Sequence, residues 1–526
     1  MAANIADLFE HAVDAFGERV AVACGEREIT YAELEETSNR LAHFLQSRGV
    51  GKGAHVGLYA GNSIEAVVAM IAVYKLRAVV VNVNYRYVEN ELQYLFEDAG
   101  LVALIHDRRF SPKVKAVASG MRAIVALPDD SSPDISDISY SDALTAGSSK
   151  RDFEERSGDD IYLLYTGGTT GYPKGVIWRH EDVWRVLGGG IDFMTGVPLE
   201  DEWAQSTREG MPPMTRFCLA PLIHGNAQWA ALAALFAGDT VVFLPHFDPD
   251  EVWRTIERRK VNVVVLIGDA MARPIIEAYL AGSYDGSSLV AISSSAALFS
   301  PSVKRQYLQA LPDTMVTDAV GSSETGFAGI GIVADVDGGA VDGPRVMPGP
   351  DTIVIDEHGR RAGPGVIGRL ARGGHVPLGY YKDPEKTAAL LTEVDGVRYA
   401  IPGDLARLED DGTITLLGRG NTCINTGGEK VFPEEVEGAL KAHPDVFDAL
   451  VIGAADDRLG QRVVALVQPR PAASLDLGEL DTHVRQRIAG YKAPRGIWLV
   501  DRINRTISGK ADYRWAHSYV KEHDAD

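Results

Sequence analysis

Cysteine is scarce in this chain of 526 residues: Cys24, Cys218 and Cys423 lie far apart and no CxxC occurs. That excludes a disulfide framework and a zinc knot, and a reducing compartment, the cytoplasm, is expected. Basic residues are in deficit, 52 Lys and Arg against 73 Asp and Glu, which leaves a formal charge of −21. A nucleic acid or an anionic membrane surface is thereby disfavoured as the main partner, although a shaped local site can still take a polyanion. Long apolar runs are missing too, and nothing reaches the roughly 18 residues of a membrane span. The N-terminal stretch lacks the basic start and continuous apolar run of a signal peptide. Its Ile5, Leu8, Phe9, Val13 and Phe16 fall instead on one helical face. Integral membrane contact is not expected; peripheral contact stays open.

Several catalytic motifs are absent as well. Lys174 is preceded by Pro173 and followed by Gly175, and Lys510 is followed by Ala511, so neither completes a Walker A sequence. No GxGxxG sits at a strand-to-helix turn, and neither GxSxG nor HExxH occurs. Dinucleotide folds, α/β-hydrolases and zinc proteases lose support accordingly.

What is present is an ordinary globular composition, 45% hydrophobic and 24% charged, over a length that calls for two or more domains. After Thr30, Leu34, Leu41, Phe44 and Leu45 recur at helical spacing and the pattern ends on Gly49. Val56–Tyr59 reads as a strand, Asn62 or Ser63 can cap a helix reaching Lys75, and Ala78–Val83 is a β-branched run. A helix from Val88 to Ala99 then precedes a strand at Val102–His106. Strand alternating with helix predicts a parallel sheet with crossover helices. Asp129–Ser149, rich in Ser, Asp and Pro, reads as a linker, and short strands at Val241–Leu244, Val263–Ile267 and Val290–Ser293 continue the layers.

Beyond Gly338, glycine, proline and β-branched residues dominate, and Asp411-Gly412 between two such runs predicts a hairpin in a small antiparallel β subdomain. The remainder reads as a self-contained α+β domain. Gly418–Gly428 is irregular, Pro433–Lys441 and Leu477–Ile488 are helical, and Ala449–Gly453, Val463–Val467 and Ile497–Val500 are strands. The fold class is therefore α/β: a large N-terminal domain of layered sheets with a β subdomain, residues 1–418, followed by a small α+β domain, residues 419–526.

The stretch Tyr165–Val176, YTGGTTGYPKGV, carries the strongest chemical signal. An apolar run, Ile161–Leu164, leads into Gly167, Gly168 and Gly171, which allow close backbone approach, among the hydroxyls of Thr166, Thr169 and Thr170 and the point charge of Lys174. A polyphosphate needs several donors at once, and this segment offers them. By itself it is also readable as a glycine-rich surface turn. Four other segments are ambiguous one at a time. His224 in PLIHGN reads as a satisfied core histidine, Glu324 in VGSSETG as a helix cap, and Asp404 after Pro402-Gly403 as a turn former. The stretch Gly418–Glu437 combines Arg419, Gly427-Gly428 and Lys430 with a helix start.

In this order the segments resemble the acyl-adenylate-forming family of acyl-CoA synthetases, luciferases and peptide-synthetase adenylation domains, from TYAEL at Thr30 to NRTISGKADY at Asn504. WRHEDVW after the glycine segment and CINTGGEKVFPEEVE resemble the actinobacterial acyl-CoA ligases that act on fatty, steroid side-chain or polycyclic acids. The resemblance implies an ATP- and Mg²⁺-dependent ligase forming acyl-AMP and then an acyl-coenzyme A thioester. It implies that Thr166 to Lys174 hold the β and γ phosphates, that Ser295, Ala296 and Ala297 line the adenine, and that Gly321, Ser322 and Ser323 flank the α-phosphate. Glu324 would bind magnesium, Asp404 the ribose hydroxyls, and Arg419 the ribose or phosphate. His224 would border the carboxylate, and Gly427, Gly428 and Lys430 would lie at the approach of the thiol. Lys510 would be the catalytic lysine of a mobile small domain that turns about Gly418–Asn421.

Departures from the family pattern are Asn421 where Asp or Lys is usual, Ser323 where Thr is usual, Asn504 where Pro is frequent, and SSSAAL where a glycine and a proline are common. Gly225, Ala227, Ala230, Ala231, Gly326, Ala328 and Gly329 suggest room for a bulky apolar acid, although small residues equally serve tight packing. The alternatives are an enzyme loading a carrier-protein thiol and a non-catalytic nucleotide-binding regulator. A homodimer stays open as an assembly.

Overall fold

The structure is a computed structural model that describes residues 3–523 except 130–137, 167–172, 192–196, 200, 202, 204, 207–211, 298, 334–342, 350, 421, 427–428, 457, 472 and 506–509. The chain divides into two compact units, Met1–Val265 with Ser287–Leu289 and His375–Leu391, and Leu266–Gly286 with Val290–Gly374 and Thr392–Asp526.

In the first unit the alternating pattern folds as expected. Val79–Asn82, His55–Tyr59, Ala103–Asp107 and Ala123–Leu127 pair in parallel in that order. Ile161–Thr166 joins in parallel beside Val79–Asn82, and Lys174–Arg179 folds back antiparallel to it. Covered on both faces, Val79–Asn82 is buried throughout, and so is the connecting helix Ile64–Lys75, whose first turn is capped by the Ser63 hydroxyl. A second sheet of this unit orders Arg27–Thr30, Val20–Cys24, Thr240–Phe243, Thr215–Cys218 and Val263–Leu266; all its pairs are parallel except the first hairpin. Helix Tyr31–Ser47 opens with a capping box between Thr30 and Glu33.

One expectation is corrected in this unit. Asp129–Ser149, read as a linker, carries a strand at Ile138–Ser139 paired in parallel with Ala123–Leu127, and a helix at Tyr140–Ala146 capped by Ser139. Ala143 is the one buried residue of that helix, too sparse an apolar pattern for periodicity to register.

Strand Lys174–Arg179 runs directly into helix His180–Leu187, and His180 is fully buried against Tyr74, its Nδ1 accepting from the Ile5 amide. Burial lowers the imidazole pKa to about 4, against the pull of Asp160, with Arg156 and Arg77 adding to the fall. A depressed folded pKa means that the unfolded chain binds the proton more tightly, so stability falls as pH drops from about 6.5 towards 4, by about 3 kcal/mol from this group. The thermal midpoint of His180→Phe should therefore vary less than that of the wild type across this window. Parallel pH profiles would disprove the assignment.

The second unit begins with parallel strands Ala291–Ser295 and Met315–Ser322. It continues antiparallel through Gly326–Ile332, Arg345–Pro348, Ile414–Arg419, Asp404–Leu408 and Ile367–Arg372. This is the anticipated β subdomain, with Val346, Val354, Leu370, Ala406 and Ile414 in its core. Gly412 turns its hairpin at φ +83°, a conformation that L side chains resist. Further on, Val446–Asp456 and Gly460–Pro469 form a long antiparallel ribbon with Gly496–Leu499 parallel at its side. Helices Pro433–Lys441 and Leu477–Arg485 cover one face, and Tyr513–His523 the other. That last helix is not among the elements expected from the sequence, and the stretch Gly418–Gly428, expected to be irregular, contains the strand Ile424–Thr426, which pairs with Glu429–Val431 just beyond it. The helix buries only Ala516 and Val520, and the hairpin strands have three residues each.

Candidate active site

In the first unit, Thr166 and Lys174 face each other as antiparallel register partners, so the glycine segment leaves and rejoins the sheet at one rung. Gly167, Gly168, Thr169, Thr170 and Gly171 lie outside the described residues. Lys174 places its Nζ 5.3 Å from the centroid of the Tyr380 ring. Behind the rung, buried Asn82 acts as a clamp: its Nδ2 donates to Tyr165 O at 2.8 Å and to Ile223 O at 2.7 Å, while its Oδ1 accepts from Tyr165 N at 2.8 Å. One amide thus draws the strand ending at Thr166 to the segment that presents His224. Two more amides fix that segment. Asn62 accepts from Leu222 N at 2.7 Å and donates to Ala220 O, and Gln228 donates to Leu222 O at 2.8 Å while accepting from the Tyr162 hydroxyl. His224 itself is half-buried at the N-cap of helix Gly225–Phe236.

Asn62, Asn82 and Gln228 were missed as site residues in the sequence. The available signal was the asparagine closing the run Val79–Asn82, at the carboxyl end of a buried parallel strand, where open α/β sheets place their ligands.

In the second unit, Ser295 pairs in parallel with Ala319, so Ser295, Ala296 and Ala297 leave the sheet at the same end as Gly321, Ser322 and Ser323. Ala296 holds φ +66°, the left-handed region, in a turn closed by Ala297 N donating to Ser295 O at 2.8 Å. Glycine suits this backbone better than alanine, which places physically the departure seen in SSSAAL. Below this edge, burial pushes the Asp318 carboxyl pKa up, and the Lys304 ammonium only partly restores it.

Glu324 sits at the tip of the hairpin formed by Met315–Ser322 and Gly326–Ile332, its amide donating to Ser322 Oγ at 3.2 Å. A Cβ on Gly321 would lie 2.3 Å from Gly326 O, so that turn demands glycine. Among the described residues no group of three or more His, Cys, Asp or Glu could hold a metal alone. A single hard carboxylate at a hairpin tip suits magnesium, which keeps waters and shares phosphate oxygens.

Asp404 opposes Arg419 across an antiparallel pair, steadied by Gly420 N donating to Gly403 O at 2.9 Å. The side chains of Arg419 and Lys430, and residues Asn421, Gly427 and Gly428, lie outside the described set. Lys510 is exposed beside the bridge Arg505–Ala511, and Arg505 is anchored by two 2.7 Å hydrogen bonds to Asp448. The two units therefore divide the expected residues. The first carries Thr166, Lys174 and His224; the second carries Ser295–Ala297, Gly321–Glu324, Asp404, Arg419 and Lys510.

The small residues expected to leave substrate volume are largely consumed by packing. Ala227, Ala231 and Ala328 are buried, and a Cβ on Gly225 or Gly329 would collide with Leu164 or with Met347 O. Only Asn226, Trp229 and Ala230 form a half-exposed face on helix Gly225–Phe236.

The first unit thus offers a strand-bound lysine beside a glycine segment, and the second a carboxylate on a hairpin tip and an aspartate on a β rung. The sequence profile of the AMP-binding enzyme matches residues 9–381, and that of the AMP-binding enzyme C-terminal domain matches 435–510. The chain belongs to the AMP-binding enzyme family. It is 55% identical over 542 residues to a 3-oxocholest-4-en-26-oate–CoA ligase of Rhodococcus rhodochrous, with 100% of this chain and 97% of the relative covered. It is 52% identical over 540 residues, covering 100% and 98%, to a medium/long-chain-fatty-acid–CoA/3-oxocholest-4-en-26-oate–CoA ligase of Mycolicibacterium smegmatis. The crystal structure of an anthranilate CoA ligase in complex with anthranoyl-AMP shares the fold, with a TM-score of 0.87 at 22% identity and 100% of both chains covered. The expectation of an AMP-forming CoA ligase that uses ATP, Mg²⁺ and coenzyme A is borne out at the level of this family. No helix among the described residues is long and apolar enough to cross a membrane.

Proposed function

We propose that this chain activates a bulky apolar carboxylic acid, foremost a steroid acid with a carboxylated side chain and next a medium or long fatty acid. The single observation that carries the substrate class is full-length likeness, at 55% and 52% identity, to two ligases named for the same steroid acid. The reaction follows from leaving-group chemistry. A carboxylate cannot expel oxide, so its oxygen attacks the α-phosphorus of ATP, the bond to pyrophosphate breaks, and an acyl phosphate anhydride with AMP forms. The sulfur of coenzyme A then attacks the carbonyl, and AMP leaves.

In this reading Thr166 and Lys174 hold the departing pyrophosphate, and Asp404 accepts from the ribose hydroxyls. His224 borders the carboxylate, and Lys510 faces the charge developing on the carboxylate and α-phosphate. Glu324 would hold magnesium, whose charge would offset the polyphosphate and polarise the α-phosphorus. Residues 419–526 act as a mobile domain, since one lysine cannot occupy the site while the thiol approaches. A cytoplasmic location fits three cysteines that form no disulfide, Cys24 and Cys218 being buried.

Acid-dependent ATP–pyrophosphate exchange over a panel of acids, followed by addition of coenzyme A, tests the proposal. Steroid side-chain acids should exceed short or aromatic acids in kcat/KM by at least about tenfold and yield a thioester. Lack of exchange with any apolar acid would favour a nucleotide-binding regulator, and exchange without a coenzyme A ester would favour carrier-protein loading.

A further inference from the structure

The short strand Gly379–Tyr380 lies along the outer edge of Lys174–Arg179, with Gly379 opposite Ile177 and Tyr380 opposite Val176. Residues two apart on a strand share a face, so Lys174 is the diagonal neighbour of Tyr380, within reach of a long side chain and an aromatic ring. The distance bears this out: Lys174 Nζ stands 5.3 Å from the ring centroid, inside the range of cation–π attraction.

The ring is held by more than this pairing. Leu378 N donates to Ile177 O at 2.8 Å and Tyr381 N to Gly175 O at 2.7 Å, which locks the segment on both sides of Tyr380. Thr387 Oγ1 accepts from Tyr380 N at 2.8 Å and donates to Asp383 O at 2.8 Å, tying the strand to helix Pro384–Leu390. Gly379 permits this contact, since its φ is +140° and a Cβ there would lie 2.3 Å from Thr387 Cγ2. Two residues beyond Tyr380, Lys382 Nζ donates to Asp98 O at 2.6 Å. The aromatic face is thus a fixed platform, whereas a lysine with a four-carbon stem is floppy and loses much rotamer freedom when pinned. Asp383, whose carboxylate feels Lys174 electrostatically after the stronger pull of Lys386, adds negative charge on the same side.

We propose that Tyr380 is a positioning residue for nucleotide binding: its ring holds the Lys174 ammonium at the base of the glycine segment, so that the polyphosphate meets an ordered cation. This rests on the reading of Lys174 as the pyrophosphate-side lysine. The aromatic face does the holding and the hydroxyl does not, so phenylalanine should replace tyrosine and leucine should not.

Titration calorimetry with MgATP, without any acid, tests this on the full chain. Tyr380→Leu should weaken MgATP binding about five- to tenfold, and Tyr380→Phe should stay within about twofold of the wild type. In a Lys174→Ala background, Tyr380→Leu should add nothing, because its effect passes through the lysine. Thermal midpoints, and thioester formation from supplied acyl-AMP, should be unchanged in Tyr380→Leu. Loss of affinity in Tyr380→Phe equal to that in Tyr380→Leu would overturn the inference, as would an undiminished effect of Tyr380→Leu in the Lys174→Ala background. If Lys174→Ala weakens binding and Tyr380→Leu does not, the inference fails while the role of Lys174 stands. If Lys174→Ala binds MgATP as the wild type does, the reading of Lys174 itself is wrong.

Discussion

Replacing Lys510 with alanine is expected to lower acid-dependent ATP–pyrophosphate exchange by about 10²–10³-fold, while thioester formation from supplied acyl-AMP and coenzyme A continues near the wild-type rate. The magnitude is that of removing one fixed donor from the charge that develops in a transition state. The selectivity between half-reactions comes from the two tasks: adenylation needs a cation at the carboxylate and α-phosphate, whereas thiol attack on an anhydride needs an open approach. Lys510 is well placed to be a separable element. It is exposed, and its base is fixed by the Arg505–Asp448 pair and by the bridge to Ala511, so truncating it removes charge without disturbing the core beneath Tyr513–His523. Equal loss of both half-reactions would refute the assignment of Lys510 to adenylation alone.

What the sequence revealed of this fold depended on the range over which each signal acts. The layers were readable because Val56–Tyr59, Ala78–Val83 and Val102–His106 are short apolar runs between amphipathic helices, and because caps such as Thr30 with Glu33 act within one turn. Gly412 marked its hairpin for the same local reason. The helix Tyr513–His523 was not readable because its inner face fully buries only Ala516 and Val520 and is otherwise made of the half-buried aromatics Tyr513, Trp515 and Tyr519. At the site, the glycine segment and Glu324 declared themselves by motif. Asn82 did not, because its meaning lies in two backbone carbonyls, Tyr165 and Ile223, that are remote in sequence. An amide at the end of a strand is a cap, a turn or a clamp depending on partners that only folding brings. The small residues after His224 left two readings open for a related reason: sequence shows that a residue is small, whereas packing decides whether the space is filled.

The same limit hides the feature with the largest expected effect on stability. Lys75 is fully buried, with Nζ donating to Glu10 and, at 2.7 Å, to Glu35. Arg156 reaches Glu10 at 2.8 Å and also pairs with Asp7, while Arg151 reaches Glu35 at 2.8 Å and Asp14 at 2.9 Å. Three helices, Ile5–Phe16, Tyr31–Ser47 and Ile64–Lys75, thus converge on one cation, together with the chain that leads into strand Ile161–Thr166. Burial pushes the Glu10 carboxyl pKa up, but Lys75 and Arg156 outweigh it and bring the net pKa below the usual value. A depressed carboxyl pKa stabilises the fold above about pH 4.5, and that contribution is lost as pH falls through the folded value. Lys75→Met fits the space but leaves Glu10 and Glu35 facing each other without their shared cation. The expected cost is about 3–5 kcal/mol, seen in denaturation. Adding Glu10→Gln to Lys75→Met should recover about 1–2 kcal/mol by relieving the repulsion between two carboxylates that then keep only Arg156 and Arg151 as partners. Additive losses in the double variant would show that packing, and not charge compensation, is what Lys75 supplies. Because this cluster anchors the entry to the strand ending at Thr166, residual ATP binding by Lys75→Met should track its folded fraction.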